Sequence, residues 1–268
     1  MATQPARYRA LAGYLRKHAF VPRYGAEAQL ALLTDDGVRL SAARVQGPPD
    51  AIGTVVLVHG FSQSSRMPRI HAFAHELARR VHVIVPDLRG HGASGGVSSM
   101  GTYEPLDVKA AVEAADPSLP VVTIGISLGG AAVLLHAGTF RGVAGVVAIS
   151  APAWWGAWDT PATKRIQRYA MTAAGRRFLA VFMRTRIAEI CEGVPHAEAQ
   201  AAAIAPAFTI VVADPADHYF SEEHPQTLYR WANEPKDLWL LPGTGHGTDL
   251  LSPAFTARLL GELDRRLN

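Results

Sequence analysis

Cysteine is almost missing from this chain of 268 residues: Cys191 stands alone. One thiol cannot form an internal disulfide framework, and it excludes a structural zinc built on thiolates. Cys191 sits in an Ala/Glu-rich helical stretch and reads as a structural residue. Lysine is scarce too, with four among the 26 basic residues, and the basic residues form no run. The net charge of +3 is mild for this length. Nucleic-acid binding shows itself as a basic stripe or a recognisable module, and neither is present, so no nucleic-acid partner is expected. The chain also lacks any apolar stretch near the ~18 residues that a membrane span needs. Its first 25 residues carry Arg7, Arg9, Arg16 and Lys17 without the continuous apolar segment of a secretory signal. The expected location is cytoplasmic. Tyr8, Leu11 and Leu15 share one helical face there, which reads as a helix docked on its own domain and not on a membrane surface.

What the chain has is apolar residues, 49% of the total, arranged in short runs. Gln29–Leu33 and Val38–Val45 flank Asp35-Asp36-Gly37, a hairpin signal. Strand-like runs then follow at 54–58, 81–85, 121–124, 143–149, 209–212 and 238–241. Stretches of helical periodicity at 68–80 and 102–115 separate the early ones. Runs apolar on both faces suit strands covered by helices on both sides. The alternation predicts a mostly parallel, doubly wound eight-stranded sheet after an antiparallel start. It breaks between Trp154 and Ala205, where about fifty residues hold helix formers and no clear strand. That is too long for an ordinary connection. The expected organisation is a core of 1–153 and 206–268 with a helical insertion of 154–205 over the C-terminal edge of the sheet, where open α/β sheets bind ligands.

The chemistry centres on Val121 to Gly130, VVTIGISLGG. A buried strand runs into Gly125-Ile126-Ser127-Leu128-Gly129, followed by a helical stretch. This is G-x-S-x-G in the strand–turn–helix setting that the pattern needs. The turn lifts the hydroxyl of Ser127 out of the sheet, and glycines two positions either side remove side chains that would collide with neighbouring elements. The plain alternative is a Gly-rich turn with a passive serine. A serine needs a base, and His246 in Gly243-Thr244-Gly245-His246-Gly247 follows the last strand. Of the ten other histidines, His71 and His75 have the i, i+4 spacing of a metal pair but no third ligand, and read as a surface helix. His136 reads as packing. The imidazole needs a carboxylate to orient it, and Asp214 and Asp217 both follow the penultimate strand. An oxyanion needs two donors. The N–H groups of Leu128 and of Phe61, in His59-Gly60-Phe61-Ser62, are the candidates. Gly90-His91-Gly92-Ala93-Ser94-Gly95 matches a dinucleotide fingerprint, but no helix opens directly on its glycines, so that reading is set aside.

Taken together, His59-Gly60-Phe61, Asp87-Leu88-Arg89-Gly90-His91-Gly92-Ala93-Ser94, Gly125-Ile126-Ser127-Leu128-Gly129 and Gly243-Thr244-Gly245-His246 resemble the α/β-hydrolase superfamily, in its esterase, lipase and serine-peptidase-like branch with a lid. The resemblance selects Asp217 as the acid. The family often reads G-x-x-D there, and this chain departs from it by carrying Asp214 in place of that glycine. It also implies a structural role for the DLRGHG stretch. The expected activity is hydrolysis of a carboxylic ester or thioester by Ser127, His246 and Asp217, with no cofactor and no metal. Amide, peptide or C–C cleavage, acyl transfer, and a non-catalytic binder on the same scaffold are the alternatives. Phe61, Trp154, Trp155 and Trp158 are placed to line an apolar acyl pocket, or else the tryptophans form the insertion's own core. The insertion's seven basic residues, against four acidic ones, read as a solvated helix face or as a site for a phosphate-bearing acyl carrier such as coenzyme A. The expected partner is a small apolar acyl substrate, and the expected assembly is a monomer or homodimer.

Overall fold

A computed structural model of the chain describes residues 29–155, 160–170, 172–189, 193 and 195–268. The expected N-terminal helix, Trp158 and Cys191 lie outside the described residues. Strands β1 (Gln29–Leu33) and β2 (Arg39–Val45) pair antiparallel across the Asp35-Asp36-Gly37 turn. Gly37 supplies the left-handed φ of +83° that such a turn requires. Six strands follow: β3 (Thr54–Val58), β4 (His82–Pro86), β5 (Val121–Ile126), β6 (Gly145–Ile149), β7 (Phe208–Ala213) and β8 (Lys236–Leu240). They are parallel to one another, and the eight strands form one sheet in the order β1-β2-β4-β3-β5-β6-β7-β8. The fold is thus the α/β sheet that the alternating runs predict.

The helices explain why the strands are apolar on both faces. On one face Val55, Leu57, Ile124 and Ile210 pack with helices α1 (Pro68–Leu77) and α8 (Pro253–Leu267). On the other, Val56, Val58, Val146 and Val211 pack with α2 (Glu104–Glu113), α3 (Leu128–Phe140) and α7 (Glu223–Trp231). Each buried Val or Ile side chain contributes about 1.5–3 kcal/mol, and successive residues of a strand supply the two layers alternately. Helix α3 lies under the sheet centre and is buried over ten of its thirteen residues, which is why it is apolar all round.

The connection from β6 to β7 carries α4 (Pro161–Ala170), α5 (Ala173–Phe182) and the short α6 (Glu198–Ala201). It holds no strand among the described residues, but two isolated bridges join it to the loop after β4: His91 with Thr185 and Ser98 with Ile187. Arg186 N–H donates to the Gly90 carbonyl and its own carbonyl accepts from Ser98 N–H, both at 2.8 Å. The Arg186 guanidinium also reaches the Ser94 carbonyl. The Gly90–Gly95 stretch is therefore a closed loop and not a helix opening. Gly92 has no room for a side chain, since a Cβ there would stand 2.1 Å from the Asp87 carboxylate. Nearby, the buried Arg89 binds Asp107 through Nε at 2.8 Å and Asp36 through Nη1 at 2.7 Å, tying the loop to α2 and to the β1–β2 turn.

Candidate active site

The strand order reverses direction between β3 and β5, since β4 lies on one side of β3 and β5 on the other. Loops leaving the C-terminal ends of β3 and β5 diverge, opening a crevice at this switch point. Ser127 sits in it as the first residue after β5. Its backbone is at φ 54° and ψ −116°, a conformation that costs a non-glycine residue on the order of 1–3 kcal/mol. The surroundings hold it there. Ser127 N–H donates to Ile149 O at 2.8 Å, and Ala131 N–H donates to Ser127 O at 3.1 Å. The flanking glycines are required by contact. A Cβ at Gly125 would stand 2.2 Å from the Gly129 carbonyl oxygen, and one at Gly129 would stand 2.5 Å from the carbonyl oxygens of both Val58 and His59.

A specific outcome follows for the turn. Gly129→Ala pushes a methyl against two main-chain oxygens, that of Val58 at the end of β3 and that of His59 just beyond it. The expected cost is about 3 kcal/mol or more, read as a fall in urea midpoint. Gly261→Ala, on α8 with nothing within 4 Å of the added carbon, is the control and is expected to gain up to about 1 kcal/mol. Equal stability of the two variants would refute this account of the turn.

His246 and Asp217 arrive from the loops after β8 and β7. His246 Nε2 lies 3.1 Å from Ser127 Oγ, and His246 Nδ1 lies 2.6 Å from Asp217 Oδ2. A carboxylate only accepts, so Nδ1 carries the proton and donates, which leaves Nε2 to accept from the serine hydroxyl. The Asp217 side chain is 3% exposed and that of His246 13%. Asp217 Oδ1 accepts from Tyr219 N–H at 2.7 Å, which fixes the carboxylate plane. Three rings enclose the imidazole: Tyr219 at 4.5 Å, Phe220 at 5.6 Å and His218 at 6.0 Å between centroids. Burial pushes the Tyr219 hydroxyl above its usual pKa. These rings were legible as neighbours of Asp217 in sequence, but nothing in their pattern marks them as a collar around His246.

Asp214, the other candidate carboxylate, faces elsewhere. Its Oδ2 accepts from Gly245 N–H at 2.7 Å and its Oδ1 from Ala216 N–H at 2.9 Å. Burial alone would raise this carboxyl, but the N–H groups around it, led by that of Gly245, outweigh burial and hold it below the usual range.

The loop after β3 lies against the serine. A Cβ at Gly60 would come within 3.3 Å of Ser127 Cβ. His59 is fully buried beneath this loop. Its Nδ1 donates to Gly60 O at 2.8 Å, and its Nε2 accepts from Leu88 N–H at 3.0 Å. Both ring nitrogens of this neutral imidazole are used, and burial lowers its pKa to about 4. Phe61 follows in the loop, and its ring packs edge-on to His91 at 5.9 Å. Leu128, the other expected donor, is the first residue of α3 and directly follows Ser127.

The two described tryptophans part company. Trp155 meets Phe220 at 6.4 Å and, with Phe61 and Met183, packs on a cluster of Met100, Ala170, Leu179 and Ile187. Trp154 stacks on His224 of α7 at 4.1 Å, and His224 Nδ1 accepts from Ala153 N–H at 3.1 Å. His71 and His75 pack ring to ring on α1 at 4.5 Å, and His136 is buried in α3 against Phe140. No cluster of three or more metal-ligating side chains occurs among the described residues. No described helix is long and apolar enough to cross a membrane. Lys164, Arg165, Arg168, Arg177, Arg184 and Arg186 are exposed, while Arg176 is half-buried and pairs with Glu189 at 3.3 Å.

A mostly parallel α/β sheet with a serine, an imidazole and a carboxylate hydrogen-bonded in series at its switch point defines a recognisable class of protein. The chain belongs to the alpha/beta hydrolase family, whose family model matches residues 55–265. Solved structures share the fold at low identity. The Pyrococcus furiosus esterase Pf2001 superposes with a TM-score of 0.73 at 18% identity, over 92% of this chain and 98% of that one. The esterase RhEst1 from Rhodococcus sp. ECU1013 gives 0.71 at 19%, over 90% and 98%. A hydrolase from Pseudomonas aeruginosa gives 0.68 at 22%, over 89% and 99%. No curated protein matches the chain in sequence.

Proposed function

We propose that this protein is a serine hydrolase that cleaves carboxylic esters, with thioesters as the neighbouring substrates, through an acyl-enzyme intermediate. The observation that carries the reading is the unbroken hydrogen-bond series from Ser127 Oγ through His246 to Asp217. Ser127 Oγ attacks the acyl carbon as its proton passes to His246 Nε2, and the tetrahedral oxyanion is met by the N–H groups of Phe61 and Leu128. Collapse breaks the bond to the leaving alcohol, which takes the proton from His246. Water then attacks the acyl-enzyme, giving its proton to His246, and the acid leaves as Ser127 regains its hydrogen. Asp217 holds the tautomer and stabilises the imidazolium throughout. Two of the structurally similar proteins above are esterases, which favours an ester among the acyl substrates.

In the same reading, residues 154–205 form a cap over the crevice, bridged to the Gly90–Ser98 loop. Phe61 and Trp155 face the apolar cluster of Met100, Leu179 and Ile187 and form the wall that takes an apolar acyl chain, while Trp154 is placed behind it against His224. The test is reaction with a fluorophosphonate ester. A single adduct mapped by mass to Ser127 is expected. Intact protein with no adduct would remove the hydrolase reading and leave a binding protein on the same scaffold.

A further inference from the structure

The ring of His246 touches Ser127 and Asp217, but the N–H groups of the residues on either side of it are held by two other side chains. Gly245 N–H donates to Asp214 Oδ2 at 2.7 Å, and Gly247 N–H donates to Ser150 Oγ at 3.0 Å. Asp214 is the first residue beyond β7 and Ser150 the first beyond β6. Both are nearly sealed from solvent, at 2% and 3% exposure. The two glycines have φ of +101° and +60°, so no regular ladder carries the segment and these acceptors supply its fixed points. Each acceptor is itself anchored. Ser150 N–H donates to Val212 O at 2.8 Å. Asp214 spans two loops: its carbonyl accepts from Asp217 N–H at 3.1 Å, and its Oδ1 accepts from Ala216 N–H at 2.9 Å.

We propose that Asp214 and Ser150 are positioning residues that bracket His246, and that Asp214 also sets the acid loop against the base loop. With the main chain pinned at Gly245 and Gly247, the backbone that carries the imidazole is restrained from both sides, and the hydrogen bonds to Asp217 and Ser127 settle its side-chain torsions. A glycine in place of Asp214, the residue often found there in the family pattern, offers Gly245 N–H no acceptor. The kinetic consequence rests on the hydrolase reading, since displacing a reacting group by about 1 Å can cost about 10² in rate.

The experiment compares wild-type protein with Ser150→Ala, Asp214→Ala and Asp214→Asn by ester kinetics, by the pH profile of kcat/KM, and by the far-downfield proton resonance of His246 Nδ1–H on Asp217. Ser150→Ala and Asp214→Ala are expected to lose about 10- to 100-fold in kcat with KM little changed. Their imidazole resonance should broaden or vanish, and the acidic limb of the pH profile, along which protonation disables the base, should shift. Asp214→Asn, whose amide oxygen still accepts from Gly245 N–H, should recover most of both signals. Ser150→Ala keeps the test available if Asp214→Ala fails to fold. Folded variants with wild-type kcat and an unchanged resonance would overturn the proposal, as would a lowered melting temperature with the same turnover per folded molecule. Wild-type protein that shows the resonance but neither hydrolyses esters nor labels at Ser127 would sink the hydrolase reading instead, and the bracket would then be decided by the resonance in the variants.

Discussion

Ser127→Ala is expected to lower ester turnover by about 10⁶-fold, with the protein folded and its melting temperature within a few degrees of wild type. The size follows from the geometry. Ser127 Oγ, 3.1 Å from His246 Nε2, is the only group in the relay that can form the acyl bond. On the proposed mechanism, what remains in the variant is the polar environment of the Phe61 and Leu128 amides acting on direct attack by water. Asp217→Asn is the informative companion. It leaves a side chain of the same shape 2.6 Å from His246 Nδ1 but no longer requires that nitrogen to carry the proton. A fall of about 10⁴-fold is expected. Asp214→Asn should cost far less, because its oxygen still reaches Gly245. A Ser127→Ala variant that retains wild-type turnover would end the mechanism outright.

The second large effect is on stability, and it appears on acidification. Burial holds His59, His91 and His136 neutral, each with a pKa lowered to about 4. In the unfolded chain each returns to about 6.5. The unfolded state therefore binds more protons across this window, and stability falls as the pH drops from about 6.5 towards 4. Between pH 7 and 5 each imidazole costs about 2 kcal/mol. Burial raises the Asp107 carboxyl to about 7 against its Arg89 pair, so the folded state takes up that proton and returns about 2 kcal/mol. A net loss of about 3–4 kcal/mol remains, a large share of the 5–15 kcal/mol typical of a domain. The structure says where the loss is felt first. Protonating His59 forfeits the bond from Leu88 N–H and charges a ring 5.2 Å from His91, directly beneath the Phe61 loop. His91 Nε2 and His136 Nδ1 are buried with no polar partner among the described residues, so a proton placed on either would be unsatisfied. Urea melts at pH 7 and pH 5 measure the loss. Equal or greater stability at pH 5 would contradict it.

The fold was legible because the sheet is buried on both faces. Runs such as Thr54–Val58 have no polar side to confuse their assignment. Strand ends were less legible. The sequence reading stops β5 at Ile124 because Gly125 interrupts the apolar run, yet Gly125 still pairs with Val58 and Ala148, and the strand continues to Ile126. Helix α1 ends at Leu77, three residues before the periodicity fades at Arg80, because the chain must turn there to enter β4. At the site, Ser127 and His246 were visible from their glycine-flanked turns. Ser150 was not, nor were the contacts that Asp214 and His59 make, since each acts through a main-chain group distant in sequence. Ser150 reaches Gly247 across 97 positions and His59 reaches Leu88 across 29. No local pattern encodes such a contact. Choosing between Asp214 and Asp217 depended on the same kind of information. Three residues apart on one loop, they are alike in composition and differ only in which element stands opposite.

The backbone at Ser127 carries one more consequence. A φ of +54° with ψ of −116° suits glycine better than any other residue. The fold at this turn would be more stable with no side chain at all, and serine is held there against the preference of the chain that surrounds it. On the proposed hydrolase function the position trades stability for reactivity, and selection on folding alone would erase the hydroxyl that the chemistry requires.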